Sequence, residues 1–264
     1  MLRNSTRHIE ALLLIFSLLL SVAAMLGWIF QLPFLVQFIP DAPTIKFNTA
    51  LLAFFTILVL AFERKTNFFF KTLSFLLLGA IFLIALLSLI EYYFQLNINI
   101  DNLFVNDTIS ENIIGRMSPA TSVSFILTVF GLFCSFLQSE GLKKICSSLF
   151  LIVFAIASAS LISYFLYIPI NHKVVFFQTM SLPTTILFLN ISILLMFRSP
   201  SISFNSLMNF KRVGSKLFWK IIPLVTILPI IVSYVLLYFS SEVKVNMDFG
   251  IAICTNIFIL LSSA

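Results

Sequence analysis

Residues 72–95 read TLSFLLLGAIFLIALLSLIEYYFQ. Lys71 bounds this run on one side and the polar segment Asn97 to Asp101 on the other. About 20 consecutive, mostly apolar residues are what one helix needs to cross a bilayer. The run therefore predicts a transmembrane helix, with Glu91 as its single charged residue. Outward from it in both directions lie seven further apolar runs, at 11–31, 47–63, 119–138, 144–168, 182–198, 218–240 and 247–264. A membrane barrel would show short alternating segments instead. The expectation is an all-α integral membrane fold of about eight transmembrane helices, one polytopic domain over residues 1–264.

Composition agrees. The chain has 264 residues, 60% of them apolar and only 10% charged, with a mean hydropathy of +1.10. A soluble domain carries about 25% charged residues, so too few charges are present to cover a water-facing surface. The same numbers exclude a disordered chain, a collagen, a disulfide scaffold and a basic nucleic-acid binder. The implied partner is the lipid bilayer, and no nucleic acid. Cys134, Cys146 and Cys254 lie in or beside apolar runs without metal-ligand spacing and read as packing residues.

Charge placement sets the orientation. With the N-terminus inside, the outer segments hold Lys46, Arg116, Lys173 and Lys244, and the cytoplasmic segments hold the other 12 of the 16 Lys and Arg residues. That is the positive-inside bias, and it predicts both ends inside. Trp28, Trp219, Tyr92, Tyr93, Tyr164, Tyr167 and Tyr238 all fall near span ends and read as an interfacial aromatic belt. Ser21-Val22-Ala23 offers the small residues of a signal-peptide cleavage site, but the run 11–31 is long for one. The basic stretch from Arg198 to Lys220 reads as lying on the anionic inner leaflet.

Three spans begin alike: Ile45-Lys46-Phe47-Asn48-Thr49, Met117-Ser118-Pro119-Ala120-Thr121 and Met180-Ser181-Leu182-Pro183-Thr184. The threonines are spaced by 72 and then 63 residues, and Phe125 and Phe188 each follow their threonine by four. All three starts share one side, so they define parallel hairpin repeats at about 43–95, 116–168 and 179–240. One span precedes them and one, 247–264, follows. Ser118-Pro119 places a capping hydroxyl before a proline at the first helical position; Pro43-Thr44 and Ser181-Leu182-Pro183 look similar. Each threonine can bond back to a carbonyl or across to a neighbouring helix. Two readings stand. The starts are three well-capped helices and nothing more, or their dipoles, with Lys46 and Arg116, form an outer pocket that favours anions.

Candidate chemistry is thin. Glu91 is either an anchor reaching the headgroup region or a partner for Lys46 or Arg116 in an outer site. Asn190 and Asn256 read as mid-span groups joining helices. The longest outer loop, 96–118, carries Asp101, Asp107, Glu111 and Arg116, with Asp101 either fixed over the mouth of the bundle or simply solvated. His8 and His172 fall on opposite sides of the membrane. Neither a Gly-rich phosphate loop nor an HExxH or GxSxG motif is present. No cofactor, no metal site and no catalytic cluster is read in this chain.

Lys46-Phe47-Asn48-Thr49-Ala50-Leu51, then Ile100-Asp101 with Leu103-Phe104, then Gly115-Arg116-Met117-Ser118-Pro119 with Thr121 occur in that order. This set resembles the N-terminal membrane sensor region of certain bacterial sensor histidine kinases and diguanylate cyclases, over about residues 40–264. Met180 to Thr184 matches a looser third threonine motif, and Ser122 stands where that family prefers alanine. The resemblance implies a bacterial inner-membrane signal-input module that works as a homodimer. It also implies a cytoplasmic kinase or cyclase output domain outside this chain, and no enzyme activity within it. The expected signal cluster on the outer face is Lys46, Asn48, Thr49, Glu91, Asp101, Arg116, Ser118, Thr121 and Thr184. The alternative is a small-solute transporter, permease subunit or accessory membrane protein.

Overall fold

A computed structural model describes residues 2–40, 42–63, 65, 67–96, 104, 105, 107, 109, 116–136, 140–166 and 175–198. The chain divides into two compact units, and the second, 165–167 with 204–264, is described only at Phe165 and Leu166. The expected spans 218–240 and 247–264 lie outside the described residues. So do Tyr167, His172, Trp219, Tyr238, Cys254, Asn256 and the basic stretch beyond Arg198.

Among the described residues the regular structure is all α. The helices are α1 (Leu2–Ile29), the single turn α2 (Pro33–Val36), α3 (Phe47–Phe62), α4 (Phe68–Phe94), α5 (Pro119–Phe136), α6 (Glu140–Phe165) and α7 (Leu182–Arg198). Six of them coincide with expected spans to within a few residues at most ends; α1 alone starts well before its run. Four contain stretches long and apolar enough to cross a membrane: Arg7–Ile29, Phe68–Phe94, Pro119–Phe136 and Ile145–Phe165. The apolar helices Phe47–Phe62 and Leu182–Arg198 are shorter.

Local chemistry explains several ends. Asn67 caps α4 by accepting from the Phe69 N–H at 3.1 Å, and Gln95 closes it in the left-handed conformation. After α1 the chain doubles back through Gln31, also left-handed. It passes so close to Gly27 that a Cβ there would lie 2.7 Å from Leu35 Cβ. Only glycine permits that turn.

Burial follows one register. α3 buries Asn48, Thr49, Ala50, Leu52, Ala53, Thr56, Ile57, Val59 and Leu60. Advancing each number by 72, the step from Thr49 to Thr121, lands on a buried residue of α5 every time. A further 63, the step to Thr184, lands on a buried residue of α7 every time. Phe125 and Phe188, equivalent in this register, meet edge to face with centroids 4.7 Å apart. That contact is among the stronger aromatic geometries, and both rings are fully buried.

The intervening helices repeat as well. α4 buries Ser74, Leu78, Ile81, Ala85 and Ser88, and 72 residues on α6 buries Cys146, Phe150, Val153, Ala157 and Ser160. Steps of three and four keep one stripe facing inward. α1 carries a stripe of the same spacing in Ser17, Ser21, Ala24 and Trp28. The units α1–α3, α4–α5 and α6–α7 therefore repeat too, and the first helix belongs to the pattern. The expected boundaries had left it outside. Meanwhile Leu12 and Leu19 of α1 and Leu76 and Leu83 of α4 are more than half exposed. Serines inside and leucines outside is the reverse of a soluble bundle, and it suits a lipid-facing surface.

Trp28 corrects the aromatic-belt expectation. It is only 3% exposed, and its Nε1–H donates to the Ile45 carbonyl at 2.7 Å. Tyr164 does the same in the third unit, donating its hydroxyl to the Met180 carbonyl at 2.7 Å. Ile45 and Met180 each precede their threonine by four. Buried indole and phenol groups find acceptors rather than water. Tyr93 is exposed and fits the belt. Asn190 bonds the Ile186 carbonyl of its own helix at 2.8 Å, instead of joining two helices. Cys134 and Cys146 are free thiols at facing ends of α5 and α6, with Cys146 buried.

Candidate functional site

α3, α5 and α7 each begin with a motif that singles out the same depth. At α5 the Ser118 hydroxyl accepts from the Thr121 N–H at 3.1 Å and shares a 2.7 Å hydrogen bond with the Thr121 hydroxyl. At α7 the Ser181 hydroxyl accepts from the Thr184 N–H at 3.3 Å and shares a 2.7 Å bond with the Thr184 hydroxyl. All four side chains are buried. These are the expected N-caps, in which a serine oxygen satisfies a helix N–H that has no carbonyl to meet. The threonine hydroxyls turn to the capping serines, not to a preceding carbonyl. The Ala120 N–H at the start of α5 also donates to the Phe176 carbonyl at 3.1 Å, which ties this start to the approach to α7.

α3 departs from the expectation. Its N-cap is Lys46, two residues beyond Thr44, and Lys46 makes no side-chain cap bond. A lysine ammonium has three donors and no acceptor, so it cannot cap an N–H. A cation is also disfavoured by the positive end of the helix dipole. Asp107 answers the second problem by neutralising the cation. Its Oδ2 lies 2.8 Å from Lys46 Nζ, with the two side chains 3% and 8% exposed. Its Oδ1 accepts from the Ile109 N–H at 3.2 Å, which fixes the carboxylate. Phe104 meets Phe47 with ring centroids 6.1 Å apart, and Val105 and Ile109 pack on the core. Residues of the 96–118 loop are thus fastened to the start of α3 by a desolvated ion pair and an apolar seat.

The expected cluster divides as follows. Lys46 is in the ion pair. Asn48 and Thr49 are buried in the first turn of α3. Ser118, Thr121 and Thr184 form the caps. Arg116 is half-buried just before the α5 cap. Glu91 is 3% exposed at the end of the α4 stripe, so it faces the bundle and does not reach toward headgroups. Asp101 lies outside the described residues. Asp107 and Ser181 are the members sequence reasoning passed over. Ser181 had a signal, since it matches Ser118 in the repeat. Asp107 had only its presence in the loop.

A second charged cluster sits at the opposite end. Arg198, the last residue of α7, lies 3.7 Å from Glu10 Oε2 of α1 through Nε and 3.2 Å from Glu63 Oε2 beyond α3 through Nη1. It also donates to the Leu60 carbonyl. Its side chain is 10% exposed. This corrects the reading of Arg198 as part of a leaflet-facing basic stretch. Its planar fork joins three helices instead.

Among the described residues no group of three His, Cys, Asp or Glu side chains could hold a metal ion. What the arrangement offers is electrostatic and mechanical: a loop held to one helix start by charge, beside two helix starts held by their own serines. No family model, curated protein or solved structure matches this chain.

Proposed function

We propose that this helical protein, with several apolar helices long enough to span a membrane, is the signal-input module of a bacterial inner-membrane transduction protein. The observation that carries the reading is the buried Lys46–Asp107 pair. It couples residues of the 96–118 loop to one of three equivalent helix starts, at the end that the charge bias assigns to the outside. A signal that loosens or tightens this pair changes how α3 packs against α1, α4 and α7, its neighbours in the bundle. Such a signal shifts the equilibrium only by its differential affinity for the two packings. The output, a histidine kinase or diguanylate cyclase acting in a homodimer, follows from the motif resemblance alone. In this reading the helices transmit and do not catalyse.

Two measurements test it. An antibody to the 96–118 loop, used on membranes of the cell of origin, is expected to find a band well above 29.9 kDa. A band at that mass removes a fused output and favours the transporter or accessory reading. In the native protein, Asp107→Asn and Arg116→Ala are expected to abolish the change in kinase or cyclase output with stimulus while leaving membrane abundance intact. An unchanged response in both variants removes the outer cluster from the mechanism.

A further inference from the structure

We propose that the α4–α5 hairpin contains a buried hydration site, one water molecule held between Ser88 and Ser122. The argument comes from comparing one pair of positions in all three units. In α6–α7 they are Ser160 and Thr185, whose hydroxyls meet at 2.8 Å. In α4–α5 the same register gives Ser88 and Ser122. In α1–α3, with Trp28 matched to Tyr164 by their equivalent acceptors, the positions are Ala24 and Ala50. All six residues are fully buried, at 0% exposure.

The first unit therefore has two buried alanines at this position, and the third closes it with a direct hydroxyl bond. The middle unit does neither. Ser88 Oγ and Ser122 Oγ are both buried, and among the described residues neither has a hydrogen-bond partner. Ser122 does not fold back on its own helix either, whereas Thr185 bonds the Ser181 carbonyl at 2.9 Å. α4 packs against α5, and the register of the Ser160–Thr185 pair puts the two hydroxyls at the same level of that interface. A buried hydroxyl left unpaired is costly, and a polar site that can offer a water two or more partners is where buried water is found. Glu91 lies one turn beyond Ser88 on the same stripe and is buried too, so this stretch of α4 is polar as well. Each hydroxyl donates or accepts, which suits a small neutral hydrogen-bonding molecule. One water bridging the pair does for α4–α5 what direct contact does for α6–α7.

The consequence is independent of the sensory reading. The α4–α5 unit is joined at this level by an exchangeable molecule, and the α6–α7 unit by a direct bond.

The test uses the full chain purified in detergent, with thermal unfolding as readout. Ser88→Ala and Ser122→Ala are each expected to lower Tm by about 2–4 °C. The double variant is expected to lose no more than either single one, because the water is lost with the first hydroxyl. If each alanine raises Tm and the two gains add, the hydroxyls are bare and the proposal fails. Ser122→Asn separates a water from a direct bond. Its longer amide side chain replaces the water and bonds Ser88, leaving Tm within about 1 °C. Thr185→Asn, where no gap exists, lowers Tm by at least about 2–4 °C. A loss in Ser122→Asn as large as in Thr185→Asn means there is no room for water, and overturns the proposal.

Discussion

At the starts of α5 and α7 the holding group is a serine hydroxyl three residues from the threonine it meets. At the start of α3, in the same register, it is a carboxylate 61 residues away. The first two helix starts have their caps supplied locally, although the Ala120 N–H of α5 also meets the distant Phe176 carbonyl. The third is closed by a loop that enters from between α4 and α5. A local cap stabilises its helix whatever the neighbours do, whereas a long-range ion pair makes one helix start depend on the position of another hairpin. If any of the three starts responds to events in the 96–118 loop, α3 is the one built to do so.

The sharpest way to break this comparison is to remove the long-range partner. Lys46→Met removes the Lys46 cation from the buried Asp107 carboxylate, and is expected to cost about 3–5 kcal/mol. Lys46→Met combined with Asp107→Leu removes both charges and should recover most of that loss. Denaturant unfolding in micelles measures both, and limited proteolysis at 96–118 should show the loop released in the single variant only. An equal loss in single and double variants would mean that Lys46 acts through its position at the helix start and not through the pair.

Shape offers the next test, since the units differ there as well. Gly131 of α5 holds the place that Val59 has in α3 and Leu194 in α7. The space is taken by Phe150 of α6, whose ring a Cβ at 131 would overlap at Cε1 and approach to 2.8 Å at Cζ. One 72-residue step back, in the α3–α4 pair, the residue matching Phe150 is Leu78 of α4. Gly131→Ala is expected to cost about 2 kcal/mol by overpacking. Adding Phe150→Leu, which copies the larger-with-smaller arrangement of the α3–α4 pair, should restore stability. Failure of that rescue would confine the repeat to its starts.

The local caps rank lower. Ser118→Ala and Ser181→Ala should each cost about 1 kcal/mol. The two losses should add, because each cap serves only its own helix. Neither should change proteolysis of the 96–118 loop, in contrast to Lys46→Met. Loop release in Ser118→Ala would show that α5 shares the dependence assigned here to α3.

Why some of this was legible in the sequence and some was not follows from distance along the chain. Apolar runs and capping residues act within one helix, so 47–63, 119–138 and 182–198 match α3, α5 and α7 closely at their starts. Ser118 could be read as a cap from its place before Pro119. Glu91 was half legible. Ser74, Ser88 and Glu91 share one stripe in a run otherwise dominated by leucine and phenylalanine, and that spacing already turns Glu91 inward. Trp28 was not legible as a buried donor, because a tryptophan near a span end has the same sequence context whether it faces headgroups or a carbonyl. Its acceptor, Ile45, lies across an irregular turn 17 residues on. Asp107 and Arg198 were illegible for the same reason: their partners belong to helices far away in sequence, and charge in a loop says nothing about which helix it meets.

The smallest expected effect tests whether the repeat extends to the joints just before the helix starts. Tyr164 and Trp28 stand near the ends of α6 and α1 and donate to carbonyls at equivalent positions, both at 2.7 Å. One is a phenol and the other an indole, so the similarity lies in the acceptor and not in the donor. Tyr164→Phe keeps the ring and removes only the hydroxyl. An interhelical hydrogen bond in a membrane bundle is worth about 0.6 kcal/mol on average, and a loss of that size is expected in unfolding measurements. No loss would mean that the Tyr164 ring alone makes the joint. The match with Trp28 would then reflect shared packing and no shared bond, and the long-range closure of α3 would stand further apart from α7 than the common register suggests.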